Sequence, residues 1–256
     1  MRRPCSFALF SMLVLSGSGH LFGQSISAFS VDFFNCTEFA GEGPVSLAKA
    51  APLVPQGYTV AGASSGMANI VIRATSCASA TVDGRFAQQT NLSQIGVNIV
   101  SPDGTGTINN YTLVYLSNNP ALVSAFNLAG LPAQFDPQLT YQFSAPVTEK
   151  GNLYVAAGSP EVAPYFIYGP ETPPAPNSAE VFLANWWYSP KTLFGNRQMR
   201  QQTLFPAISF GGSTVSFYTS STSLLGGLIG GNTFNNFSAL ALRGVYANAH
   251  MEVTVR

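Results

Sequence analysis

Residues 109–132, NNYTLVYLSNNPALVSAFNLAGLP, constrain the fold more than any other stretch, because a strand and a helix follow one another with both helix ends marked. Every side chain in YTLVYL, Tyr111 to Leu116, suits a pleated strand buried on both faces, which makes this a central strand. Asn119 offers an N-cap oxygen and Pro120 has the fixed φ of a first helical position. Gly130 supplies the stop, with Pro132 just beyond it. The predicted helix is 120–129, and Leu122, Phe126 and Ala129 at i, i+4 and i+7 give it one face to lay on the sheet.

Around this unit the chain reads as strands. Residues 25–37 form an entry strand and 44–53 a short helix begun by Pro44 and stopped at Pro52. NIVIRAT, 69–75, is a strand with Cys77 close after it. SQIGVNIV, 93–100, runs through the turn PDGTG into the central strand as a hairpin. A second hairpin, 139–144 with 152–156, turns at Glu149-Lys150-Gly151, and the proline-rich 160–176 reads as a rim loop holding the short strand PYFIY. Strands at 182–188, 203–210, 214–218, 239–246 and 250–255 follow, with a glycine-rich helix or turn at 223–229. About a dozen strands with two or three short helices predict a mainly β fold (α+β), a barrel or sandwich forming a single domain.

Arg2 and Arg3, then the apolar run FALFSMLVL, then small residues up to Gly19 have the layout of a secretory signal peptide, here 1–24, leaving a mature β domain of 25–256. The run is shorter than the roughly 20 apolar residues that a membrane anchor needs. The expected address is therefore secreted or periplasmic. With 46% hydrophobic and only 9% charged residues, the chain can fill a large core. Without Arg2 and Arg3 the acidic residues slightly outnumber the basic ones, so charge gives no case for nucleic acid or an anionic membrane. Cys5 leaves with the signal, and an exported Cys36 and Cys77 most simply pair as a disulfide, with two buried thiols as the alternative. Asn35, Asn91, Asn110 and Asn236 head glycosylation sequons.

A strand ending in an Asn-Pro-initiated helix and a Leu-Pro turn resembles the acetoacetate decarboxylase superfamily. VSFYTSSTSLLGGLIGG and the closing LRGVYANAHMEV resemble later segments of that family, so the likeness runs in order and spacing from Leu53 to Val255. It implies an acetoacetate-decarboxylase-like β barrel or sandwich with an enclosed small-molecule pocket. In that family a Pro-Lys-Lys supplies the Schiff-base lysine, whereas here Pro132 is followed by Ala133 and Gln134. The resemblance also places Arg73 near an active-site glutamate of the decarboxylases.

The residues themselves offer little other chemistry. Once the signal is gone, His250 is the one histidine and the cysteines are paired, so no zinc ligand set forms and no cofactor is expected. No Gly-x-Ser-x-Gly elbow or phosphate loop appears. A neutral lysine needs desolvation, and of Lys49, Lys150 and Lys191 only Lys191, in WWYSPKTLFG, has an apolar wall nearby. It is the weak catalytic candidate, against the plainer reading of a turn lysine. Arg73 sits among apolar neighbours, so it either pairs with Glu38 or Glu42, or faces outward, or awaits an anion inside the barrel together with Trp186, Trp187 and Tyr188. The expected function is binding or transformation of a small organic acid or carbonyl compound without a Schiff-base lysine. The alternative is a non-catalytic binding or structural β domain with a filled interior.

Overall fold

The structure, a computed structural model, describes residues 26–192 and 195–256. The predicted signal peptide, with Cys5 and His20, lies outside the described residues. The first four strands are β1 (Ile26–Ser46), β2 (Met67–Val82), β3 (Arg85–Asn98) and β4 (Ile108–Ser117), and helix α1 (Leu47–Ala50) follows β1. Helix α2 (Pro120–Ala129) leads into β5 (Gln134–Phe135), β6 (Thr140–Phe143), β7 (Gly151–Ser159) and β8 (Val162–Glu171). Then come β9 (Glu180–Tyr188), β10 (Lys191–Thr192), β11 (Gly195–Asn196), β12 (Met199–Gly212) and β13 (Ser216–Thr219). Helix α3 (Leu224–Ile229), β14 (Thr233–Phe234) and β15 (Leu240–Val255) complete the chain.

The long strands run in the order β3-β2-β1-β15-β12-β9-β4, and β4 pairs back onto β3, so the sheet closes into a barrel. Closure removes the exposed edges that strands of this length would otherwise present. All of these pairs are antiparallel except β4 with β9. A second sheet, β14-β13-β8-β7-β6, packs against the outside. Its Leu153, Val155, Ile167 and Phe217 share a core with Ile70, Ile72, Ile95 and Val97 of β2 and β3.

Helix α2 has the predicted bounds and caps. The Asn119 side chain accepts from the amides of Ala121 and Leu122, and Gly130 sits at φ 98°. Its Leu122, Val123 and Phe126 pack with Phe29, Phe33 and Tyr115 of the barrel interior, the Phe126 ring lying 4.4 Å from Tyr115 and 5.0 Å from Phe29.

Three local expectations are corrected. Pro44 lies near the end of a strand rather than starting a helix, because residues up to Ser46 pair with β2; the helix begins at Leu47 and continues as a 3-10 turn to Leu53. The proline-rich stretch contains the full strand β8, with Pro164 and Pro170 at exposed positions near its ends. The last two predicted strands are one, β15.

Cys36 and Cys77 stand opposite each other on β1 and β2, bonded, with Cα atoms 4.1 Å apart. Both are buried, and both belong to the interior core. Of the sequon asparagines, Asn91 and Asn110 are buried, which leaves Asn35 and Asn236 at the surface.

Candidate functional site

Alternation along a strand decides what enters the barrel. On β1, the residue Asn35 adopts φ 49° and has no partner in the ladder to β15. The pairing keeps its register across this residue, with Phe34 opposite Asn248 and Cys36 opposite Tyr246, while the inward face changes from Phe29, Val31 and Phe33 to Cys36, Glu38, Ala40 and Glu42. Glu38 and Glu42 line the same cavity as Val71 and Arg73 of β2, Trp186 of β9, Phe205 of β12 and Leu242 of β15. Gly96 on β3 makes room for the indole, since a Cβ there would lie 2.8 Å from Trp186 and 2.2 Å from the Tyr111 carbonyl oxygen. Gly96→Ala should therefore destabilise the barrel by about 1–3 kcal/mol, the usual cost of overpacking, measured by denaturant unfolding.

Arg73 points inward and is paired. Its Nε donates to Glu38 Oε2 at 3.0 Å, and Nη2 lies 2.9 Å from the same oxygen. The hydroxyls of Thr75, at 3.0 Å, and Tyr246, at 3.3 Å, donate to that oxygen as well. Burial is the largest influence and works against the guanidinium charge, but Glu38 together with Tyr246 and Tyr115 holds Arg73 above its ordinary range. Next to this pair, Gln94 donates from Nε2 to Thr112 and Gln201, forming a buried polar layer across the barrel.

The layer is incompletely satisfied. Arg73 Nη2, Tyr115 Oη, Gln201 Nε2 and Thr203 Oγ1 are buried without an aligned hydrogen bond, and so is Glu42 Oε1 on the cavity wall. Desolvation raises the pKa of Glu42, which favours its neutral carboxylic acid form. The cavity measures about 30 Å³, room for about two waters at the 10–15 Å³ that one requires.

Arg73 and Trp186 thus line one cavity, and Trp187 and Tyr188 do not line it. Trp187 faces the other side of β9, buried with Ile99 and Tyr111 and donating from its indole to Asn109 Oδ1 at 2.8 Å. Tyr188 is half-buried and stacks on Tyr111 at 5.9 Å. The same alternation turns Ile95 and Val97 outward, toward the second sheet. Among the described residues no lysine lines the cavity. Lys49 and Lys150 are exposed, and Lys191 begins β10, its side chain lying outside the described residues. His250 is half-exposed on β15, 2.7 Å from Asp32. Among the described residues no cluster of three or more His, Cys, Asp or Glu could hold a metal, and no helix is long and apolar enough to cross a membrane.

A second buried ion pair, absent from the sequence expectations, lies between the barrel and the second sheet. Arg243 Nε is 3.9 Å from Glu171 Oε2, and its guanidinium lies 3.7 Å over the Phe143 ring. Neither carboxylate oxygen of Glu171 makes an aligned hydrogen bond. Burial drives the Glu171 carboxyl from 4.5 up to about 7, against the opposing pulls of Ser213 and Arg243. Between these values the folded state holds the proton more tightly than the unfolded chain, so this group's contribution is complete below pH 4.5 and is lost as pH rises through 7. Wild type should lose about 3 kcal/mol across that window relative to Glu171→Gln, read as unfolding free energy against pH. Equal slopes for the two proteins would contradict it.

The closed barrel with its packed second sheet is the acetoacetate decarboxylase-like fold. Among solved structures the chain is similar to an acetoacetate decarboxylase from Legionella pneumophila subsp. pneumophila str. Philadelphia 1, at 10% identity over 96% of this chain and 95% of that one, TM-score 0.52. An acetoacetate decarboxylase-like enzyme from Sphingomonas wittichii RW1 matches at 10% identity over 90% and 92%, TM-score 0.54. The enduracididine biosynthesis enzyme MppR complexed with pyruvate matches at 12% identity over 93% and 92%, TM-score 0.55. No family model and no curated protein matches the chain. Ala133 is buried in the core beside α2, and Gln134 accepts from the Ser159 hydroxyl, so neither reaches the Arg73 cavity.

Proposed function

We propose that this is a secreted protein whose barrel interior holds a small organic acid or carbonyl compound non-covalently, without a Schiff-base lysine. The observation that carries the reading is the cavity wall itself, where Glu42 Oε1 is buried without a hydrogen bond beside Arg73, whose Nη2 is ion-paired to Glu38 at 2.9 Å but not aligned for a hydrogen bond. A buried polar atom left unmatched costs about 1–3 kcal/mol, so a ligand that satisfies it recovers that energy on binding. A carboxylate meets Arg73, and a carbonyl oxygen accepts from the protonated form of Glu42 that burial favours, while apolar walls strengthen both contacts by excluding water. The cavity as it stands has room for about two waters, so an acid of pyruvate's six heavy atoms enters only as the lining side chains shift apart. Pyruvate, bound by one structure with this fold, is the probe.

Glu38 already neutralises Arg73, so the binding test needs a variant that removes both charges together. Pyruvate should raise the melting temperature of wild type and leave Arg73→Met/Glu38→Gln unmoved. Equal shifts in the two proteins would place the ligand elsewhere. A filled, non-catalytic interior is the second reading, favoured by the small cavity and the existing Arg73–Glu38 pair, and it predicts no shift in either protein.

A further inference from the structure

The outer face of the second sheet points to a site of a different kind. Its large exposed apolar side chains are all rings, Tyr154, Phe166, Tyr168 and Tyr218, between 37% and 51% exposed. Tyr154 stands directly opposite Tyr168, and Phe166 opposite Tyr218. The Tyr154 and Phe166 planes differ by only 22°. No outward position on these five strands is Asp, Glu, Lys or Arg. Beside the rings lies an open groove of about 460 Å³, walled by Phe143, Tyr154 and Tyr168 and edged by Gln142, Ser144 and Asn152.

We propose that this face binds a neutral polysaccharide, with sugar rings stacked on Tyr154 and Tyr168 and hydroxyls bonded by Gln142 and Asn152. A sugar ring presents C–H groups on its face and hydroxyls around its rim. Flat exposed rings bordered by amides match that pattern, and the lack of charge suits a ligand that has none. The groove is within the 300–1,000 Å³ of ordinary ligand sites. A second copy of the chain fits less well, since the face offers fewer outward positions than the roughly 20–30 residues per side of a stable protein interface. The site is separate from the barrel cavity, so its success or failure leaves the reading of Arg73 untouched.

The experiment is a pull-down of the mature chain on insoluble cellulose, chitin and starch, at low and high salt. Wild type should be retained on at least one of them with little salt dependence. Tyr154→Ala/Tyr168→Ala should bind at least tenfold more weakly with an unchanged melting temperature, and Arg73→Met/Glu38→Gln should bind like wild type. Retention on none of the three, or equal retention of wild type and the tyrosine variant, overturns the proposal. So does a concentration-dependent dimer in sedimentation that the tyrosine variant abolishes, which would assign the face to a second copy.

Discussion

Arg73→Met is expected to lose about 3–5 kcal/mol of stability, because it deletes the cation and leaves Glu38 charged and buried. Glu38 is only 6% exposed and takes its main charge contact from Arg73, through Nε and Nη2. Thr75 and Tyr246 still donate to it but bring no positive charge. Glu38→Gln alone should be comparably damaging by the converse argument. Combining the two changes should restore most of the loss, since exchanging a buried pair for neutral side chains of similar size is often close to neutral. Guanidinium unfolding of the three variants decides the matter. If the double variant loses as much as the sum of the singles, the pair is not the unit that the geometry describes.

Cys36→Ala/Cys77→Ala is expected to cost about 4 kcal/mol. The bridge spans a sequence separation of 41 residues, and in the chain-entropy model closing such a loop restricts the unfolded chain by about that amount. Both positions face the barrel interior, so the substitution also removes packing against the core that contains Tyr246 and Phe205. The check is denaturant unfolding of the double variant beside wild type, with thiol titration of the unreduced wild type to confirm the bond. Two free thiols in the wild type would contradict this account.

The parts of the fold that were legible in sequence are those decided by local chemistry. The Asn-Pro start and the glycine stop set both ends of α2, and the pairing of Cys36 with Cys77 followed from their being the two cysteines left outside the predicted signal. Arg73 was conspicuous as one charge in an apolar strand, and Glu38 was among its candidate partners. What escaped was the side on which each residue stands. Trp186 and Trp187 are adjacent in a strand, so alternation alone forbids both from lining one cavity, and only Trp186 does. The change of face at Asn35 was hidden because asparagine tolerates a positive φ without requiring one, and FFNCT otherwise reads as continuous strand. Arg243 carried the same signal as Arg73, a lone cation in the strand LRGVY. Its partner Glu171, however, lies among prolines in a segment that reads as loop. The outer sheet face was invisible for a related reason, since its rings come from three strands, two of them flanking the proline-rich turn or inside it.

The central claim is that the barrel interior holds a small acid by charge and hydrogen bonds and forms no covalent bond to it. A carbon-13 spectrum of a carbonyl-labelled 2-oxo acid, recorded with the mature protein, tests this most directly. The account predicts a bound signal that keeps its ketone character and disappears with Arg73→Met/Glu38→Gln. An imine signal in its place would restore a lysine to the chemistry, and a spectrum identical to that of the free acid would empty the barrel of its proposed ligand.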